Sequence, residues 1–223
     1  MALILNVETA TKNCAVALAL NGEVLAEMQE HDEKYVHAEK LHTFIAACCK
    51  YAGKNIAELD AVAVSNGPGS YTGLRIGVSA AKGLCFALNI PLIAINTTEV
   101  LAQSAQLSGK TKDILAVIDA RRNEVYAQQF DALKKPIGDI EAVQVSPESW
   151  PNLDDNALIV GDAAEKTANL LQRTVEINQC LPQATAMCAL SERLFQEKKF
   201  VDVAYHEPFY LKDFIAGKPR QLL

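Results

Sequence analysis

The chain has 223 residues, half of them hydrophobic, enough for one large domain or two small ones around a sizeable core. Its net charge of -6 and pI of about 5.3 give it no general electrostatic help from phosphate backbones, so any RNA contact falls mostly to a partner. Six cysteines without a Cys-x-x-Cys pair argue against a zinc or thioredoxin-like site. Met1-Ala2 leads straight into an apolar strand with no basic leader, and no apolar run is long enough to span a bilayer. Together these predict a cytoplasmic protein with reduced cysteines and no membrane contact.

Leu3 to Val7 reads as a strand, Glu8 to Asn13 as a polar turn, and Cys14 to Leu20 as a second strand. Asn21-Gly22 is a hairpin turn, and Val24 to Gln29 completes an antiparallel meander. A helix is expected from Tyr35 to Ala52, with Leu41, Phe44 or Ile45, Cys48 and Ala52 at helical spacing. Ala38, Ala46, Ala47 and Cys49 make its other sides small and apolar. A helix apolar nearly all round is either buried or covered by a partner. His37 and His42 are five residues apart, which separates them by about 140° around the helix. They cannot converge on a metal as an i, i+4 pair does.

Val62 to Ser65 is the next strand, stopped by Asn66-Gly67-Pro68-Gly69. The helix that follows, Thr72 to Leu88, is rich in small residues and holds Gly73, Gly77 and Gly83. Each glycine costs about 1 kcal/mol against alanine inside a helix. The face that carries Gly73, Gly77 and Ala81 therefore predicts close approach of another backbone. The Gly-rich loop has two readings. It is a phosphate cradle at a strand-to-helix turn, or a tight turn whose glycines only let strand and helix pack. Leu74 and Arg75 follow Gly73 where a Walker loop has Lys-Ser/Thr, and on chemistry alone the tight turn is favoured.

Pro91 to Ile95 is another strand, and Thr97 or Thr98 can cap a helix that runs to about Leu107. Ser108 to Lys112 is a polar break and the expected domain boundary. After it the opening pattern recurs: Ile114 to Phe130 sets a strand, an acid-containing turn and a second strand, so that Glu8 falls near Asp119. Such repetition signals duplication. Further on, Ala142–Val145 and Ala157–Val160 read as short strands, the second ending at Gly161. Helices are expected over Ala164–Gln172 and Ala184–Lys199, the latter with Met187, Leu190, Leu194 and Phe195 as its stripe. Pro208 to Asp213 is an extended segment, and Phe214 to Leu223 a tail.

The run SNGPGSYTGLRIGVSAAKGL resembles the signature of the TsaB family, partner subunits of bacterial tRNA threonylcarbamoyladenosine (t6A) synthesis. ILNVETATKNCAVAL, HAEKL, DARRNEVY and PFYLKD fall in the family's order, so the resemblance spans almost the whole chain. It implies an α/β fold of two RNase H-like halves in the actin-like ATPase superfamily (ASKHA). The first covers residues 1–108 and carries the partner-binding helices; the second, more irregular, covers 109–223. It also implies a non-catalytic subunit that binds and activates the TsaD threonylcarbamoyltransferase, with TsaE, an ATPase subunit, as a third partner. tRNA is then met only through the complex, and the protein alone forms a homodimer.

The contact is expected on the two small-residue helices. Its residues are Leu41, Ile45, Ala47, Cys48, Thr72, Gly73, Arg75, Ile76, Gly77, Ala80 and Ala81. Glu8, Asp119 and Gly161 mark the place of a nucleotide cleft. Thr9-Ala10-Thr11 follows Glu8 and Ala120-Arg121-Arg122 follows Asp119, in place of glycine turns, so that cleft reads as degraded. No cofactor is expected in this subunit alone, with ATP or ADP and magnesium at a subunit interface. TsaD carries a His-x-x-x-His metal pair in the corresponding helix, from which His37 and His42 depart. The alternative is a small actin-like ATPase or kinase using Glu8 and Asp119 around magnesium; a metallopeptidase is less favoured.

Overall fold

The computed structural model describes residues 1–31, 36–109 and 113–212. β1 (Leu3–Glu8), β2 (Asn13–Leu20) and β3 (Glu23–His31) form the expected meander. Asn21 and Gly22 both have positive φ, as a two-residue hairpin needs for its twist to match the strands. α1 (His37–Tyr51), β4 (Ala61–Gly67), α2 (Tyr71–Leu88) and β5 (Leu92–Asn96) complete the first unit. β4 runs parallel to β1 and β5 parallel to β4, giving a sheet of order β3-β2-β1-β4-β5. The expected start of α1 at Tyr35 lies outside the described residues.

α3 (Thr97–Ser104) leads to β6 (Asp113–Asp119), β7 (Glu124–Asp131), β8 (Pro136–Gln144), β9 (Leu158–Gly161), α4 (Ala164–Leu171), β10 (Glu176–Gln179) and α5 (Ala184–Gln196). The second sheet has the order β10-β9-β6-β7-β8, which is the first sheet repeated strand for strand. β6 and β7 are antiparallel, β6 and β9 parallel, as β1 with β2 and β1 with β4. The duplication read from Ile114–Phe130 is therefore present in the strand order of both sheets.

Three expectations need correction. Thr97 and Thr98 do not cap α3: Asn96 precedes it without a side-chain cap, and both threonines lie buried inside the helix. Their hydroxyls are used for packing, Thr97 to Ser65 Oγ (2.9 Å) and Thr98 to Gln128 Oε1 (2.7 Å). α3 stops at Ser104, before Leu107. The strand expected over Ala142–Val145 is the end of a nine-residue edge strand, β8, and Pro136 is tolerated as its first residue.

Packing crosses the chain order. α1 and α2 cover one face of the first sheet through Leu5, Val7, Val16, Leu41, Ile45, Val62, Val78 and Cys85. Its other face, Ala2, Ile4, Ala61, Ala63, Ile93 and Ile95, is covered by Met187 and Leu190 of α5, from the far end of the chain. α4 covers one face of the second sheet, and Leu101 and Ala102 of α3 cover the other. Each unit's last helix thus lies on the other unit's sheet. After α5, residues 201–212 run back along the first unit: Val201 bridges Leu92, and the Phe209 N–H donates to the Asn66 carbonyl (2.8 Å). Phe214–Leu223 and the break at Lys110–Lys112 lie outside the described residues.

Candidate functional site

Glu8, Asp119 and Gly161 sit at matching strand ends: Glu8 closes β1, Asp119 closes β6 and Gly161 closes β9. The duplication places them; their surroundings decide what they can bind. Glu8 is fully buried. Its Oε1 accepts the Ala10 N–H at 2.6 Å, while Oε2 is buried without a hydrogen-bond partner among the described residues. Burial pushes its carboxyl up to about 7, against the pull of the Ala10 N–H. Asp119 is exposed, and its Oδ1 is held by Lys166 Nζ at 2.5 Å and by the Arg121 N–H at 3.1 Å. Its own N–H donates to Asp162 Oδ1 (2.9 Å), and burial pushes Asp162 up to about 6. Gly161 presses on β6 so closely that a Cβ would strike the Val117 carbonyl oxygen.

The turn after β1 is committed to packing. The Ser70 N–H donates to the Ala10 carbonyl at 2.6 Å, and a Cβ on Gly69 would meet Ala10. A Cβ on Gly73 would land on the Thr9 carbonyl oxygen, and one on Gly77 on the Thr9 hydroxyl. The close backbone approach predicted for this face is thus made by the chain's own Thr9-Ala10 turn. This geometry does not fit magnesium and a triphosphate. One carboxyl is buried and held toward its neutral form, the other is matched by a lysine, and the intervening turn faces a helix. In the Gly-rich loop, Ser70 Oγ caps α2 by accepting the Gly73 N–H (3.2 Å).

The expected partner-binding residues divide into two sets. Leu41, Ile45, Cys48, Gly73, Gly77 and Ala81 are buried in the chain's own core, against β1, β2 and β4. They build the helices' inner faces, because their spacing is that of the core stripe. Thr72 and Arg75 are exposed, and Ala47, Ile76 and Ala80 are half-buried on the outside. Sequence reasoning missed this face's large residues: Phe86 is 83% exposed and Tyr51 76%. Ala46 and Gly83 are exposed beside them in sequence, while Ile76, Ala80 and Leu84 are half-buried and pack partly against the core. His37 is buried and His42 exposed, so the two imidazoles point apart as their spacing predicts.

The family model for TsaD, described as tRNA N6-adenosine threonylcarbamoyltransferase, matches residues 24–218. The tRNA threonylcarbamoyladenosine biosynthesis protein TsaB of Escherichia coli is 31% identical over 96% of both chains. That of Haemophilus influenzae is 30% identical over 96% of this chain and 95% of its own. The chain belongs to the TsaB family. Its members act in t6A biosynthesis, and so the chain belongs to that system. YeaZ from Pseudomonas aeruginosa superposes with a TM-score of 0.84 at 27% identity, over 95% of this chain and all of that one. An activator of 2-hydroxyisocaproyl-CoA dehydratase from Clostridium difficile, solved with bound ADPNP, matches in fold alone, with a TM-score of 0.52 at 8% identity. The fold is accordingly of the actin-like ATPase type, with two RNase H-like halves.

Proposed function

We propose that this protein is a non-catalytic subunit of t6A synthesis that binds and activates TsaD through the outer face of α1 and α2. In this reading TsaD transfers the threonylcarbamoyl group from threonylcarbamoyl-AMP to the adenosine beside the anticodon. This chain supplies the docking surface, and TsaE joins as a third subunit. The observation that carries the reading is the outer face itself. Small residues recur at Thr72, Ala80, Gly83 and Ala87 on α2 and at Thr43, Ala46 and Ala47 on α1, with Tyr51 and Phe86 left in solvent. Small stripes let partner helices approach closely, and large apolar side chains left in solvent beside them suit a covered surface. The same face would pair two copies as a homodimer when TsaD is absent. No nucleotide is assigned to the Glu8–Asp119 cleft of this chain; ATP or ADP with magnesium belongs at a subunit interface.

Threonylcarbamoyl transfer in a reconstituted mixture, with this protein present or left out, tests the function. Product is expected only when it is present, with no ATP turnover by the protein alone. Ala47→Glu and Gly83→Arg test the surface. A side chain at Gly83 meets nothing within 4 Å and Ala47 is outside the buried core, so the fold should persist while association with TsaD is lost. Normal TsaD binding by both variants would overturn the assignment of this face.

A further inference from the structure

Where residues 206–210 cross α2 they form a half-open cavity of about 240 Å³, lined by Arg75, Ser79, Lys82, His206, Glu207 and Tyr210 among others. Its polar groups are held in place. Arg75 Nε donates to the Tyr210 hydroxyl (3.2 Å), and the guanidinium carbon lies 4.1 Å from the centre of the Tyr71 ring. Tyr71 and Tyr210 are themselves in contact, with ring centroids 4.9 Å apart. These contacts fix the guanidinium plane and use neither of its terminal amino groups. Lys82 Nζ donates to the carbonyls of His206 (2.7 Å) and Ala204 (3.2 Å), which leaves the third of its N–H groups. His206 Nε2 is buried and, among the described residues, has no hydrogen-bond partner. Burial and the charge of Lys82 hold that imidazole below its ordinary pKa, so it is neutral near pH 7.

We propose that this cavity binds a phosphate group, either free or at the end of a nucleotide. Donors outnumber acceptors there, two cations face the single carboxylate of Glu207, and an arginine fork matches the oxygens of a phosphate. The volume lies below the range of pockets that enclose drug-sized ligands, so a larger ligand would place only its phosphate inside. His206 lines the cavity, so its ring protons report on the occupant. Glu8, Asp119 and Gly161 are not among its lining residues, and the proposal does not depend on TsaD binding.

The chain has four histidines, few enough to follow by proton NMR. The full chain is titrated with inorganic phosphate at constant pH and ionic strength, with His206→Gln used to assign the His206 resonances. Phosphate should shift them saturably. Arg75→Ala, at an exposed position that leaves the fold intact, should weaken the response about tenfold or more, and Arg75→Lys should restore part of it. Tighter binding of ADP than of phosphate identifies a nucleotide as the source; equal binding identifies the free ion. The proposal is overturned if no saturable shift occurs, if Arg75→Ala leaves it unchanged, or if acetate reproduces it at the same concentrations.

Discussion

Replacing Glu8 by glutamine should change the pH dependence of stability more than stability itself. The carboxyl is fully buried, and its pKa rises from 4.5 to about 7 because burial penalises the charge. The folded state therefore holds the proton more tightly than the unfolded chain does. The stability this provides is complete below about 4.5 and is lost as the pH rises through about 7. At about 1.4 kcal/mol per pH unit, that gap amounts to about 3 kcal/mol. For a chain of this size the equivalent fall in Tm is about 6–12 °C. Glutamine keeps an oxygen for the Ala10 N–H but cannot ionise. Urea unfolding should find the two proteins similar near pH 5 and the variant more stable by about 3 kcal/mol near pH 8.5. Asp162, raised to about 6 by burial, slopes the same way in both and cancels in the comparison. Parallel pH profiles for wild type and variant would refute the reasoning.

Gly77→Ala puts a methyl on the Thr9 hydroxyl and should cost about 1–3 kcal/mol in denaturant unfolding, with much of the loss recovered in the double variant with Thr9→Ala. Gly83→Ala, in a helix and with nothing within 4 Å of the new methyl, should instead stabilise the isolated protein by about 1 kcal/mol. Lys82→Met removes the donor that holds the Ala204 and His206 carbonyls, and limited proteolysis should then cut faster within residues 201–212.

The duplicated strand order was legible because Leu3–Leu20 and Ile114–Phe130 repeat one pattern, and short apolar runs bounded by turn residues are strong local signals. The glycine spacing of α2 showed that something must approach it, but not that Thr9 and Ala10 of the same chain do. That identity is a tertiary fact with no local trace. On α1 the sizes of the side chains held the answer to which face is inner. Leu41, Phe44, Ile45 and Cys48 fill the core, and the smaller Ala46 and Ala47 stay outside. β10 escaped notice because Glu176–Gln179 has one apolar residue, Ile177, and is a strand only by pairing with β9. The crossing at residues 206–210 was equally hidden. An extended stretch gives no period, and what makes it a cavity wall is Arg75 and Lys82, more than a hundred residues earlier.

The crossed packing of α3 and α5 bears on how such a molecule could be divided. Cut the chain after α3 and the first sheet loses Met187 and Leu190, baring Ala2, Ile4, Ala61, Ala63, Ile93 and Ile95. The severed α3 meanwhile carries Leu101 and Ala102 with no second sheet to lie on. A lone unit is thus a sheet lacking a lid and a lid lacking a sheet. Two copies of one such unit can satisfy each other by trading helices, so the arrangement that joins these halves is also the one by which an undoubled ancestor could have stood as a swapped pair.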